Sequence, residues 1–313
     1  MDYKELITRS FRLIWKYKWL WIFGVFAAGG GGGGFGGNFN GGSPSWNSSK
    51  PEPHMDVFAR NVENWVTSHI ALIAGLVLAL LIFIFIWIIL SIISQGALIG
   101  AAERLDKDET TGFAESFKVG TANFWSILGF GLLLFLIILL PVMFIGFLVA
   151  ISIAVAGPFA LFGLIVLIPL LLLFIPVALA IGVISLLGMR FIVIEGNGAV
   201  AALSASWSLL RRQLGPAALT WLISVGLAIG FGIAIALAFI ILLVPVGIAA
   251  YVVFSAGFTP IKLGIFVFIG LIVLAALIVV QGAYGAYRSV YWTLAFRQMR
   301  VLDSDEPQPE ASA

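Results

Sequence analysis

From Phe124 the chain runs to Arg190 without a charged residue. As one helix this stretch would extend about 100 Å at about 1.5 Å per residue, against roughly 30 Å for the hydrocarbon core of a bilayer. It therefore predicts two membrane spans that reverse near Gly157-Pro158. The turn is itself apolar, with one Ser and no charge between Ile151 and Leu164. Lipid-exposed irregular backbone leaves amides unsatisfied, so this turn is expected within the membrane or against protein. Pro141, Pro169 and Pro176 are expected to kink the two helices.

Comparable apolar runs predict helices from about His69 to Arg104, Pro216 to Leu243 and Ile261 to Arg297. Pro245 to Phe258 reads as either a re-entrant segment or a kinked extension. Trp19–Ala28 is apolar but short of the ~20 residues a span needs, so it must borrow length from its flanks. Of the 313 residues 61% are hydrophobic and only 10% charged. Soluble domains carry roughly 25% charged residues, so composition places the chain in a membrane. With no cysteine there is neither a disulfide nor a thiolate metal site, and the only histidines are His54 and His69.

A short pattern recurs ahead of the runs. Ser10-Phe11-Arg12-Leu13 precedes Trp19–Ala28, Ser116-Phe117-Lys118-Val119 precedes Phe124–Ala156, and Ser206-Trp207-Ser208-Leu209 precedes the run from Leu214. Each pattern lies on an amphipathic helix. In residues 1–18, Asp2 with Glu5 resembles a capping box, and Ile7, Phe11, Ile14 and Trp15 fall on the apolar side. Phe113, Phe117 and Phe124 mark one side of the second helix. Leu203, Trp207, Leu210 and Leu214 mark one side of the third. The expected fold is all-α: a polytopic membrane protein of about six transmembrane helices as three hairpins, each preceded by a cytoplasmic amphipathic helix. One membrane domain, 1–302, then divides into units of about 1–104, 105–193 and 194–302. Residues 303–313 read as a disordered acidic tail.

Residues 29–68 are rich in Gly, Asn, Ser and Pro and read as a flexible extracytoplasmic loop inside the first unit. Its glycine run is not followed by Gly-Lys-Ser/Thr, so it is no phosphate-binding loop. Asn47-Ser48-Ser49 is a glycosylation acceptor in a secretory host. A signal peptide ending at Ala27-Ala28-Gly29 is the rival reading of the amino terminus. It is disfavoured because a cleaved segment should not resemble two internal ones.

Charge sets the topology. With six crossings and a cytoplasmic amino terminus, only Lys50, Arg60 and Lys262 of the 17 Lys and Arg fall outside. Without the first crossing the sides nearly balance. The positive-inside rule therefore predicts an integral protein of the cell membrane with both termini cytoplasmic.

The apolar runs hold no Asp, Glu, Lys or His at mid-depth. Proton relays and metal hydrolysis need such groups, so no catalytic, cofactor or metal residue can be named and no enzyme activity is expected. Ser185, Thr220, Ser224 and Ser289 are expected to bond their own helix backbones. Small-residue spacing at Gly96–Gly100 lets another helix approach closely; Gly226 and Gly230 are either the same device or ordinary membrane glycines. The second helix of each unit closes with a Gly and then an Arg: Gly100 and Arg104, Gly188 and Arg190, Gly285 and Arg288. Arg104, Arg190 and Arg288 are thus candidates for a ring that contacts anionic lipid headgroups. The plainer reading is anchoring by snorkelling. Gln281, Tyr284 and Tyr287 predict a bundle-facing polar stripe on the last helix.

The Ser-aromatic plan resembles a loose group of prokaryotic multi-pass membrane proteins of unknown function. That group includes the membrane domain found ahead of glycerophosphodiester phosphodiesterases. The resemblance implies six helices and an uncharacterised membrane role; no phosphodiesterase domain is present in these 313 residues, so that activity is not carried over. The favoured expectation is a non-enzymatic scaffold, accessory subunit or membrane modulator. Its partners would be the bilayer, anionic headgroups and a membrane protein, with no nucleic acid. The second is a transporter or flippase-like protein for a lipid or apolar substrate. The third, an enzyme using Glu103, Glu195 or Arg288, lacks a nucleophile–base pair.

Overall fold

The computed structural model describes residues 1–30, 65, 67–154, 158–255 and 260–305. Among the described residues the ordered elements are α1 (Tyr3–Lys16), α2 (Leu20–Gly30), α3 (Ile70–Asp106), α4 (Phe113–Ala122), α5 (Phe124–Ala154), α6 (Pro158–Glu195), α7 (Ala199–Arg212), α8 (Leu214–Ser255) and α9 (Pro260–Asp305), with no strand. Helices α3, α5, α6, α8 and α9 are long and apolar enough to cross a membrane. The protein is an all-helical membrane protein. Helix α2 is different: its 11 residues rise only about 16 Å.

Several expected boundaries move. Helix α8 continues through Pro245 to Ser255, so this proline sits inside an extension rather than a re-entrant turn. Helix α9 passes the expected tail boundary at residue 303 and reaches Asp305. The reason is electrostatic: the Asp303 carboxylate pairs with Arg300 at 3.3 Å and with Arg212 of α7 at 3.6 Å. Pro141 lies within α5, and Pro169 and Pro176 within α6. The Gly-rich stretch at 31–64, the turn at 155–157 and the tail at 306–313 lie outside the described residues.

The helices bury one end and leave the other open. On α3 the buried positions run only from Ser91 to Leu105. They join Ile127 to Leu134 of α5, Val183 to Ile192 of α6, and Ala286 to Met299 of α9 in one core, with Trp292, Tyr291, Phe130 and Phe296 its largest members. Helix α2 enters this core through Leu20 and Phe23. Away from it the apolar side chains are exposed, from Leu76 to Phe85 on α3 and from Ile229 to Val244 on α8. In a bilayer such faces meet acyl chains, so their exposure carries no penalty.

Glycines let the packed end close. A Cβ on Gly24 of α2 would lie 1.9 Å from the Gly282 carbonyl oxygen of α9. One on Gly120 of α4 would lie 2.2 Å from the Ile93 carbonyl oxygen of α3, and one on Gly188 of α6 would lie 2.1 Å from the Phe130 ring of α5. The Gly96–Gly100 spacing on α3 thus receives α4, with Gly96 against Gly120 and Gly100 under Val119. Gly226 and Gly230 meet nothing within 4 Å, so no described helix of this chain packs on them.

Ser10, Ser116 and Ser206 are each buried, and the aromatic residue after each is turned outward: Phe11, Phe117 and Trp207. The inward stripes are therefore Leu6, Ser10 and Ile14 on α1; Ser116 and Gly120 on α4; and Ala202, Ser206, Leu209 and Leu210 on α7. The expected apolar sides are thus divided, Ile14 facing the core while Phe11, Trp15, Phe117 and Trp207 face outward. A small residue admits the neighbouring helix backbone, while an aromatic ring suits the headgroup layer. Ser116 and Ser206 donate to carbonyls four residues back, so their hydroxyls are satisfied without reaching another helix.

Candidate functional site

The three candidate arginines part company. Arg104, at the end of α3, is half-exposed and lies 3.7 Å from Glu115 of α4. Arg190 of α6 is 2% exposed. It donates from Nη1 to the Leu186 carbonyl of its own helix and from Nη2 to the Ser289 carbonyl of α9 at 3.1 Å. Arg288 precedes that acceptor residue, and Arg190 and Arg288 line one cavity of about 300 Å³. No ring of three forms. The helical offsets explain it: Arg104, Arg190 and Arg288 follow their glycines by four, two and three positions. Each added position rotates a side chain by about 100°, so three glycines facing inward cannot aim three arginines alike.

This cavity lies between α2, α3, α6, α8 and α9. Besides the arginines, its polar lining comprises Gln95 of α3, Ser185 of α6 and Ser289 of α9. Ala27, Ala28 and Gly285 give it room, because small residues face each other where α2 crosses α9. Arg190 Nε has no hydrogen-bond partner among the described residues. Its two bonded partners are neutral carbonyls, which satisfy donors without neutralising the charge. Burying a guanidinium without an opposite charge is unfavourable by several kcal/mol. Arg288 stands nine positions before Arg297, about 14 Å deeper along α9.

A second cavity, of about 410 Å³, runs between α8 and α9. Trp221, Phe231 and Ile235 line it from α8, and Gln281, Tyr284 and Arg288 from α9. Leu186, Trp221 and Arg288 belong to both linings, so the apolar groove and the basic chamber meet at Arg288. Two bonds hold α8 to α9 at the groove's foot: Trp292 Nε1 donates to Ser224 Oγ at 3.2 Å, and Tyr291 donates to the Thr220 carbonyl at 3.4 Å. Tyr284 stacks on Phe231 with ring centroids 4.2 Å apart. Thr220 bonds its own helix, donating to the Pro216 carbonyl, whereas Ser224 serves the interhelical bond instead. The expected polar stripe on the last helix is seen in part, Gln281 and Tyr284 lying in the groove.

Sequence reasoning passes over Gln95 and Trp221. For Gln95 a cue exists, since it is the amide in an otherwise apolar stretch of α3. For Trp221 there is none, because tryptophan recurs throughout the chain.

The carboxylates of the expected enzymatic reading are engaged separately. Glu103 binds Lys107 at 2.6 Å, and Glu195 binds Arg300 at 2.8 Å. The hydrogen bond from Lys107 to Glu103 is the largest cause holding that ammonium above its ordinary pKa. Asp106 receives both Arg9 of α1, at 2.8 Å, and Arg297 of α9, clamping the amino-terminal helix onto the last one. Among the described residues no three metal-ligating side chains converge.

A family of unknown function, DUF7544, matches residues 6–300. The chain belongs to DUF7544. The match takes in both cavities and every helix from α1 to α9 in whole or large part, so the basic chamber belongs to the family's own domain rather than to an appendage. It provides no link to the membrane domain of glycerophosphodiester phosphodiesterases, and that part of the expected resemblance is not supported. No curated protein and no solved structure matches the chain.

Proposed function

We propose that this chain is a non-enzymatic protein of the cell membrane that holds an amphiphile laterally between α8 and α9 and moves or presents it. One observation carries the reading: an apolar groove and a basic chamber share Leu186, Trp221 and Arg288. Acyl chains suit Phe231 and Ile235, and a polar head suits the end at Arg288. This favours the lipid-handling expectation over a purely structural one. Charge patterning supports six crossings as three hairpins, with α2 completing its crossing through the residues after Gly30 and both termini cytoplasmic. The basic chamber then opens toward the inner leaflet.

The test is lipid retention. Protein purified in mild detergent is expected to carry about one tightly held lipid by native mass spectrometry, and Trp221→Ala with Phe231→Ala to lose most of it. Equal retention by both would remove the groove from the function.

A scaffold or accessory subunit is the second reading. The observation behind it is that the most apolar stretches of α8 and α9 contain no buried residue, leaving faces that a partner's helices can cover. Recovery of a defined stoichiometric complex in nanodiscs, with the groove covered, would favour it. Recovery as a lone lipid-bound monomer would remove it.

A further inference from the structure

We infer that the chamber between α6 and α9 is an oxyanion site, built for a phosphate group that Arg190 and Arg288 grip from two helices. The inference deepens the lipid-holding reading by naming the chemistry of the head, and rests on that reading only for the source of the phosphate. Arg190 is committed to this place: it is buried, and its bonds to the Leu186 and Ser289 carbonyls fix the plane of its guanidinium. Those bonds use one N–H each of Nη1 and Nη2 and leave Nε without a partner among the described residues. A polar donor buried that deeply without an acceptor is rare in a settled structure and points to a missing one. The other polar residues lining the chamber come from three helices: Arg288 and Ser289 of α9, Ser185 of α6 and Gln95 of α3.

The lining suits an oxyanion better than other ligands. A cation would meet two guanidiniums and no carboxylate among the lining residues. A neutral apolar ligand would leave the buried charge of Arg190 uncompensated. A tetrahedral or planar oxyanion accepts from guanidinium forks in charge-assisted bonds, about twice as strong as neutral ones. A chamber of about 300 Å³ admits a phosphodiester head but not the chains attached to it. The chains leave by the groove that starts at Arg288. Phosphate can come from a lipid head or from solution, and the chemistry at the arginines is the same.

The experiment uses delipidated full-length protein in detergent, titrated with four probes: a short-chain phosphatidylglycerol, phosphatidylcholine of the same chains, the corresponding diacylglycerol, and inorganic phosphate. Wild-type protein is expected to bind both phosphodiester lipids more tightly than diacylglycerol by about tenfold, with phosphatidylglycerol ahead because the choline cation is repelled by two guanidiniums, a preference over diacylglycerol that Arg288→Gln abolishes and Arg288→Lys keeps in part. Thermal unfolding establishes beforehand that each variant folds. Should Arg190→Gln fail to fold, Gln95→Leu removes a donor without touching a buried charge and is expected to weaken the two phosphodiester lipids and leave diacylglycerol unchanged. If all three lipids bind equally and Arg288→Gln changes nothing, the oxyanion site is overturned and the lipid groove stands. If inorganic phosphate binds and the lipids do not, the oxyanion site stands and the lateral groove reading fails. If no probe binds, both fail.

Discussion

The two ends of this bundle are built on opposite rules. At the end that carries Arg9, Arg212, Arg297 and Arg300, helices approach until glycine is the residue that fits, and charges are paired across elements. At the other end the same helices present leucine, isoleucine and phenylalanine outward, and Gly226 and Gly230 face open space. The difference follows from the surroundings. Near the interface, polar groups are satisfied by protein or water, so ion pairs and close packing set the shape. In hydrocarbon there is no hydrophobic drive between helices, and side chains that contact lipid lose nothing. The packed end therefore holds Arg190 and Arg288 in place, while the open end leaves a groove beside them.

Paired glycine substitutions break the comparison most sharply. Gly24→Leu forces a side chain into the Gly282 backbone of α9 and is expected to lower stability by about 3 kcal/mol or to prevent folding. Gly226→Ala at the open end meets nothing and is expected to gain up to about 1 kcal/mol from helix propensity. Thermal unfolding in one detergent checks both; equal effects would erase the distinction between the ends.

Asp106→Asn comes next. It leaves Arg9 and Arg297 facing a neutral amide at a nearly buried position, at an expected loss of about 2 kcal/mol. The arginines are partly exposed, which keeps the loss below that of a fully buried pair. Protease accessibility of α1 is expected to rise with it, since the clamp joins α1 to α9.

Trp292→Phe sharpens the comparison where the two ends meet. It removes the bond to Ser224 that holds α8 at the groove's foot, and is expected to lower stability by about 1 kcal/mol. Spin labels on α8 and α9 at the open end should then report a broader distance distribution. An unchanged distribution would show that the Tyr291 bond to Thr220 and the stacking of Tyr284 on Phe231 set the groove without it.

The smallest effect is at Lys107. Its ammonium is held above the ordinary lysine pKa by Glu103, so the pair stabilises the fold at neutral pH. That contribution is lost as pH rises through the elevated value. The pair is exposed and four residues apart on one helix, so Lys107→Met is expected to change stability by no more than about 0.5 kcal/mol at pH 7.

Apolar length alone made α3, α5, α6, α8 and α9 legible, because charge-free runs admit few other structures in lipid. The Gly96–Gly100 spacing was legible as a close-packing position because small residues one turn apart admit a neighbouring helix, whereas Gly188 and Gly285 were read only as preceding arginines. The burial of α2 was not, since its short run reads only as a deficient span; what gives it a place is the fit of Gly24 against Gly282 and Gly285. The direction of the amphipathic helices was not legible, because an apolar pattern marks a face without saying whether it meets lipid or protein. In a membrane the larger apolar side chain prefers lipid, and Ser10, Ser116 and Ser206 turn inward. Two of the three arginines converge because helical offset, not proximity to glycine, sets where a side chain points. Gln95 and Trp221 join the cavities only through packing of elements far apart in sequence.

The most direct measurement places a photoreactive benzoylphenylalanine at Ile235 in the groove and, separately, at Leu187 in the packed end. After irradiation in native membranes, the expected result is a lipid adduct at position 235 and an adduct to the protein's own helices at 187. Protein adducts alone at 235, or lipid adducts at 187, would contradict a bundle closed at its basic end and open to lipid beside Arg288.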